Sequence, residues 1–98
     1  MSVYVDPPVE YAREPLGYVG RARARARWCH MIADSVGELH AMAERLGLRP
    51  RWFQSDRYGG HYDLVPTKRD LAIRLGAVAV TRRQLGVKLR EFAIRQCG

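Results

Sequence analysis

Six residues of types that bind metals or move protons are spread along this chain, and they include all three of its histidines: Asp6, His30, Asp34, His40, His61 and Asp63. His61 and Asp63 are two positions apart, so on a β-strand both side chains point to the same face. Imidazole and carboxylate groups together suit a divalent metal ion or a general acid–base pair. The candidate metal ligands are Asp6, His30, His61 and Asp63. The candidate catalytic residues are His30, His61 and Asp63.

A divalent metal bound by this set would activate water against a phosphodiester. The spacing itself is not diagnostic, because the chain has no His-x-x-x-His and no Glu-x-x-His pattern. His40 also adjoins Leu39 on the apolar stripe of an expected helix, which is typical of a packed histidine. A purely structural role for the histidines therefore stays open beside the metal hypothesis.

The chain is strongly basic, with a formal net charge of +7. Most of the excess lies in the second half, since residues 51–98 contain ten basic and four acidic side chains. A charge of this sign indicates a polyanion partner such as nucleic acid or a nucleotide. The competing explanation is genomic, because 15 of the 17 basic residues are arginine, as a GC-rich genome tends to encode.

Two expected helices begin with cations, at Thr67-Lys68-Arg69 and at Thr81-Arg82-Arg83. Positive charge in a first helical turn opposes the helix dipole, whereas an anion docked there is favoured. A third basic segment alternates arginine with alanine from residue 21 to 27, and it fits either an arm along a nucleic-acid backbone or a charged edge strand. The candidate phosphate-binding residues are Arg21, Arg23, Arg25, Lys68, Arg69, Arg82 and Arg83.

The elements that must position these residues can be predicted from the apolar pattern. Strands are expected at residues 3–5, 28–32, 51–53, 61–65 and 77–80, and the last is apolar enough for the interior of a sheet. Helices are expected after Ser35, Thr67 and Thr81, because each begins a sequence that resembles a capping box. Residues 9–22 are expected to form a surface loop.

The predicted order of elements, β-β-α-β-β-α-β-α, indicates a mixed α/β fold in one domain spanning residues 1–98. We expect a small single-layer mixed sheet with about three helices packed on it, and an Arg-rich segment at about 9–27. No apolar run reaches the ~20 residues of a membrane helix. The start of the chain has no secretory signal pattern, and Cys29 and Cys97 are too few for a disulfide framework, so a cytoplasmic protein with a buried Cys29 is expected.

Several segments resemble a family of small bacterial and phage proteins, domain-of-unknown-function family 4031. The segments that carry the resemblance run in the family's order: Val3-Tyr4-Val5-Asp6-Pro7-Pro8, His30-Met31-Ile32-Ala33-Asp34, Glu38-Leu39-His40-Ala41-Met42-Ala43, Leu46-Gly47-Leu48, Arg51-Trp52-Phe53, His61-Tyr62-Asp63 and Gly76-Ala77-Val78, with Arg83 and Leu85. The chain departs from the family pattern in residues 9–27 and between Phe53 and His61. The resemblance implies a small cytosolic or phage-encoded protein and assigns no mechanism.

Three functional hypotheses follow from the sequence. The first is a domain that binds nucleic acid or nucleotide phosphates, with divalent-metal-dependent phosphodiester hydrolysis at the histidine–aspartate set. The second is a phage-type interaction module or inhibitor that docks on an acidic partner protein. The third is a helix-turn-helix DNA-binding unit in residues 67–95, with its turn at Gly76.

Overall fold

The computed structural model describes residues 2–10, 27–55 and 60–97, and within them it confirms a mixed α/β fold with three helices. The strands are β1 (Val3–Val5), β2 (Val9–Glu10), β3 (Arg27–Ala33), β4 (Tyr62–Leu64) and β5 (Val78–Ala79). The helices are α1 (Val36–Arg45), α2 (Pro66–Arg74) and α3 (Arg82–Cys97), with a short 3₁₀ helix at Pro50–Trp52.

The longest strand, β3, organises the sheet. It pairs antiparallel with β1, β2 and β4, and β5 lies parallel to β1. The predicted interior position of residues 77–80 is wrong, because β5 pairs with β1 alone among the described strands and Val78 is 44% exposed. A short apolar run does not distinguish a sheet interior from an edge.

The two faces of the sheet bury different helices. Alternate residues of the strands, such as Val5, Met31 and Leu64, pack with α1 and α2 in the larger apolar core. The opposite face carries Tyr4 and Ile32, which pack against Leu85 and Phe92 of α3. Since neighbours along a strand face opposite ways, His30 lies on the α3 side of the sheet.

The capping box predicted for α3 is confirmed, and at α1 Ser35 caps the helix without the reciprocal bond to its own amide. The Glu38 amide donates to the Ser35 hydroxyl, with 3.2 Å between nitrogen and oxygen. At α3 the contacts are reciprocal, since the Gln84 amide donates to the Thr81 hydroxyl (3.0 Å) and the Thr81 amide donates to Gln84 Oε1 (2.8 Å). These bonds satisfy amide groups that have no partner inside the helix.

Three local predictions are wrong, and proline explains two of them. Helix α2 begins at Pro66 after Val65, without a side-chain cap, and not at a Thr67 capping box. Residues 50–52 form a 3₁₀ helix that also begins with proline, where a strand was predicted at 51–53. Proline suits a first helical position because its φ angle is already helical and its missing N–H has no partner there. Residues 9–10, predicted as loop, form β2.

The segment between α2 and α3 is not a helix-turn-helix turn. It contains β5, and the Val80 amide donates to the Val5 carbonyl at 2.9 Å, which ties the segment to β1. The two helices are therefore separated by a strand of the sheet.

Asp34 joins the first residues of the chain to the end of β3. Its carboxylate accepts hydrogen bonds from the Ser2 amide (2.7 Å) and the Tyr4 hydroxyl (3.0 Å). Desolvation raises the pKa of Asp34, but these hydrogen bonds and the Lys88 charge together lower it below its ordinary value. Asp34 thus has a structural role, away from the candidate site.

We expect Asp34→Asn to lower the free energy of unfolding at neutral pH by about 1 kcal/mol, since hydrogen bonds to a charged acceptor are weakened. A lowered pKa in the folded state adds stability above the unfolded pKa, and this is lost as the pH falls through the folded value. Urea unfolding at about pH 7 and about pH 2 should show the difference at the higher pH only. A difference of equal size at both would contradict the role of the charge.

Candidate metal centre

The pairing of β3 with β4 places His30 directly opposite Asp63. His61 precedes β4 and pairs with Gln54 through two backbone hydrogen bonds of 2.9 Å each. Because His61 and Asp63 are two positions apart, both face the same side of the sheet as His30. Tyr62, between them, points to the opposite side, into the core with α1.

The structure brings together all three predicted catalytic residues. One possible ligand atom from each of His30, His61 and Asp63 lies within 4.8 Å of the other two. The two imidazole rings are 5.2 Å apart between centroids, and His61 Nε2 is 3.6 Å from Asp63 Oδ1. The side chains of His30 and His61 are 26% and 19% exposed, whereas that of Asp63 is 1% exposed. The group thus has a buried carboxylate and two partly exposed imidazoles, of which His61 has a buried Nε2.

Gln54 fixes the orientation of the Asp63 carboxylate. Its side-chain amide Nε2 donates to Asp63 Oδ2 at 2.7 Å, while the other oxygen, Oδ1, faces His61. Asp63 therefore presents Oδ1 to His61. Sequence reasoning missed Gln54, because a glutamine after a short apolar segment carries no signal of such a contact.

Asp6, the fourth predicted ligand, does not join this group and instead lies against His30. It is 1% exposed. Its Oδ1 accepts a hydrogen bond from the His30 amide (2.7 Å), and its Oδ2 is 3.2 Å from His30 Nδ1. The buried carboxylate thus contacts both the backbone and the ring of His30.

The predicted phosphate-binding residues occupy different environments. Lys68 donates to the Leu46 carbonyl at the end of α1 (2.8 Å), where the helix dipole favours a positive charge. Arg69 Nε donates to the Asp6 carbonyl (2.8 Å), which places it next to the residue that contacts His30. Arg82 and Arg83 are exposed at the start of α3. The predicted residues Arg21, Arg23 and Arg25 lie outside the described residues.

His40 is separate from the other two histidines. Its Nδ1 lies 2.7 Å from the Tyr62 hydroxyl, and its ring packs on Phe53 at 4.7 Å between centroids. It lines a cavity of about 480 Å³ that also borders Glu44 and Pro50, on the α1 side of the sheet. Its packing supports a structural role.

Cys29 is buried on β3 beside this region, as predicted. Desolvation, reinforced by the negative charge of Asp6, raises the pKa of its thiol to about 12. The thiol is therefore protonated at neutral pH, and it lies in the apolar core on the face of the sheet opposite His30.

A family model described as "Protein of unknown function (DUF4031)" matches residues 3–92 of the 98-residue chain. No curated protein and no solved structure matches the chain. Among the described residues, no helix combines the length and the apolar character needed to cross a membrane.

Proposed function

The chain belongs to the DUF4031 family of proteins of unknown function, and we propose that it binds one divalent metal ion at His30, His61 and Asp63 and uses it to hydrolyse a phosphodiester. The observation that carries the proposal is the convergence of these three side chains, with one ligand atom of each within 4.8 Å of the others. Donor atoms around a tetrahedral metal stand roughly 3.3–3.6 Å apart, given bonds of about 2.0–2.2 Å. Binding would require the three donors to move closer together than they are here.

The donor set favours a first-row transition metal such as Zn²⁺. Two imidazoles suit zinc, copper, iron and nickel, whereas Mg²⁺ and Ca²⁺ prefer oxygen ligands. Gln54 holds one oxygen of Asp63, which leaves the other as a single carboxylate donor. Two nitrogens and one oxygen complete three of four tetrahedral positions, as in catalytic zinc sites.

An open fourth position is what hydrolysis requires. A bound divalent metal lowers the pKa of a coordinated water far enough to supply hydroxide near neutral pH. Both histidine side chains are partly exposed, whereas His61 Nε2 and Asp63 Oδ1 themselves are buried. The buried Asp63 and Asp6 supply negative charge that balances the metal ion.

The net charge of +7 supports a polyanionic substrate. Phosphodiesters of nucleic acid attract a basic protein through counterion release, which is independent of sequence. Helix α3, which presents Arg82 and Arg83 to solvent, packs on the same face of the sheet that carries His30.

Metal binding and cleavage can be measured on the same preparation. The protein is stripped with a chelator and titrated with Zn²⁺ and Mn²⁺ by calorimetry, and then incubated with labelled single- and double-stranded RNA and DNA. We expect binding of one ion per chain and cleavage that depends on it. Binding of nucleic acid without cleavage would refute the hydrolysis and show that the protein is a binding module. Neither binding nor cleavage would favour the alternative, docking on an acidic protein partner.

We expect the double variant Arg82→Ala/Arg83→Ala to bind nucleic acid more weakly and to lower the salt dependence of binding. Each phosphate contact adds about 0.9 to the slope of log K against log salt for duplex DNA, so the slope should fall by about 2. The control is Arg49→Ala/Arg51→Ala, which removes the same charge from two exposed arginines before and within the 3₁₀ helix. Equal slopes for the two variants would show that net charge alone sets the affinity.

A further inference from the structure

We infer that Asp6 is a positioning residue that fixes the tautomer of His30 and so makes Nε2 the metal-binding atom of that ring. The consequence for metal affinity rests on the function proposed above. The tautomer itself does not, because it follows from contacts within the chain.

The contact between Asp6 and His30 has two points. Oδ1 of Asp6 accepts from the His30 amide at 2.7 Å, and Oδ2 lies 3.2 Å from Nδ1 of the ring. A carboxylate can only accept hydrogen bonds, so the ring nitrogen opposite it must carry the proton. With the proton on Nδ1, the lone pair of a neutral imidazole is on Nε2.

Asp6 is itself held from two directions. Its backbone amide donates to the His30 carbonyl at 3.3 Å, which continues the β1–β3 pairing by one residue. Its backbone carbonyl accepts from Arg69 Nε of α2 at 2.8 Å. The carboxylate is almost fully buried. The position of Asp6 is therefore well defined, and its carboxylate in turn orients the His30 imidazole.

The arrangement matches a general feature of metal-binding histidines. The nitrogen that does not bind metal donates to a carboxylate or carbonyl, which orients the ring and raises the basicity of the ligand. Asp6 occupies that place behind His30, just as Gln54 orients the Asp63 carboxylate. Asp6 would thus contribute to the site by orienting His30, and not as a ligand of the metal.

The test uses Asp6→Asn, which keeps the size of the side chain. The asparagine oxygen can still accept from the His30 amide, but its NH₂ group then faces Nδ1 and can only donate. The proton of a neutral ring is expected to move to Nε2, where it competes with the metal. Long-range ¹H–¹⁵N NMR of the neutral, metal-free protein reports which nitrogen carries the proton.

We expect the Nδ1–H tautomer for His30 in the wild-type protein and the Nε2–H tautomer in Asp6→Asn. Zn²⁺ affinity should fall by about 10–100-fold, as for other outer-shell partners. Asp34→Asn makes the same chemical change without touching His30, and it should leave both tautomer and affinity unchanged. An Nε2–H tautomer in the wild-type protein overturns the inference, whether or not the variant folds. An Nδ1–H tautomer in a protein that binds no metal would refute the proposed function and leave the role of Asp6 in fixing the tautomer standing.

Discussion

The His61→Ala variant is expected to lose metal binding and any metal-dependent cleavage while keeping its fold. Removing a direct ligand should reduce Zn²⁺ affinity by more than about 100-fold, since loss of an outer-shell partner alone costs about 10–100-fold. The fold should survive because His61 joins the sheet through backbone hydrogen bonds to Gln54, which alanine retains. Calorimetric titration with Zn²⁺ and circular dichroism of the same sample measure both effects.

The matched control is His40→Ala, which removes the histidine that lies outside the group. His40 contacts Tyr62 and Phe53 on the α1 side of the sheet, so its loss should affect stability without changing metal affinity. His30→Ala should repeat the result of His61→Ala. Equal Zn²⁺ affinities for His61→Ala and the wild-type protein would show that His61 is not a metal ligand and would refute the proposed function.

The Gly60→Ala variant is expected to lower the free energy of unfolding by about 3 kcal/mol or more. Gly60 has a φ of +117°, a region where a side chain costs of order 1–3 kcal/mol. A Cβ atom there would also overlap the Phe53 ring and lie 2.8 Å from the Gln54 carbonyl oxygen. Relief of such overlap typically costs a further 1–3 kcal/mol. Urea unfolding compared with the wild-type protein measures the sum.

Gly76→Ala separates the two contributions. Gly76 has a similar φ of +111°, but a Cβ atom there would meet nothing within 4 Å. It should therefore show the conformational cost alone and be the milder change. Because the Gly60 overlap displaces the backbone of Gln54, Gly60→Ala should also weaken metal binding, whereas Gly76→Ala should not. If both variants unfold at the same urea concentration, the close approach of Phe53 and Gln54 does not matter.

Much of this architecture could be predicted from local sequence rules. The apolar run of β3, the helix caps at Ser35 and Thr81, and the two-residue spacing of His61 and Asp63 each depend on short-range chemistry. Such signals report the conformation of a segment and the face to which a side chain points. They also singled out His30, His61 and Asp63, which the structure places next to one another.

The contacts between segments could not be predicted in the same way. The meeting of His30 with Asp63 depends on the β3–β4 register, and the roles of Asp6 and Gln54 depend on which segments lie side by side. No single-sequence pattern specifies these partners. The predicted strand at 51–53 failed because Pro50 starts a 3₁₀ turn, and the predicted interior strand at 77–80 failed because its apolar residues border solvent.

The opposition of His30 and Asp63 across β3 and β4 also has a thermodynamic consequence. A slip of one residue between these strands would turn His61 and Asp63 to the α1 side and bury them in the apolar core, so only the native register offers three ligands together. An ion that binds the native register alone stabilises it by about 2.7 kcal/mol at a free concentration 100 times its dissociation constant. If the proposed metal binds, its availability would then set how strongly β4, at the edge of the sheet, resists local opening, and the ion would stabilise the fold in addition to its proposed chemistry.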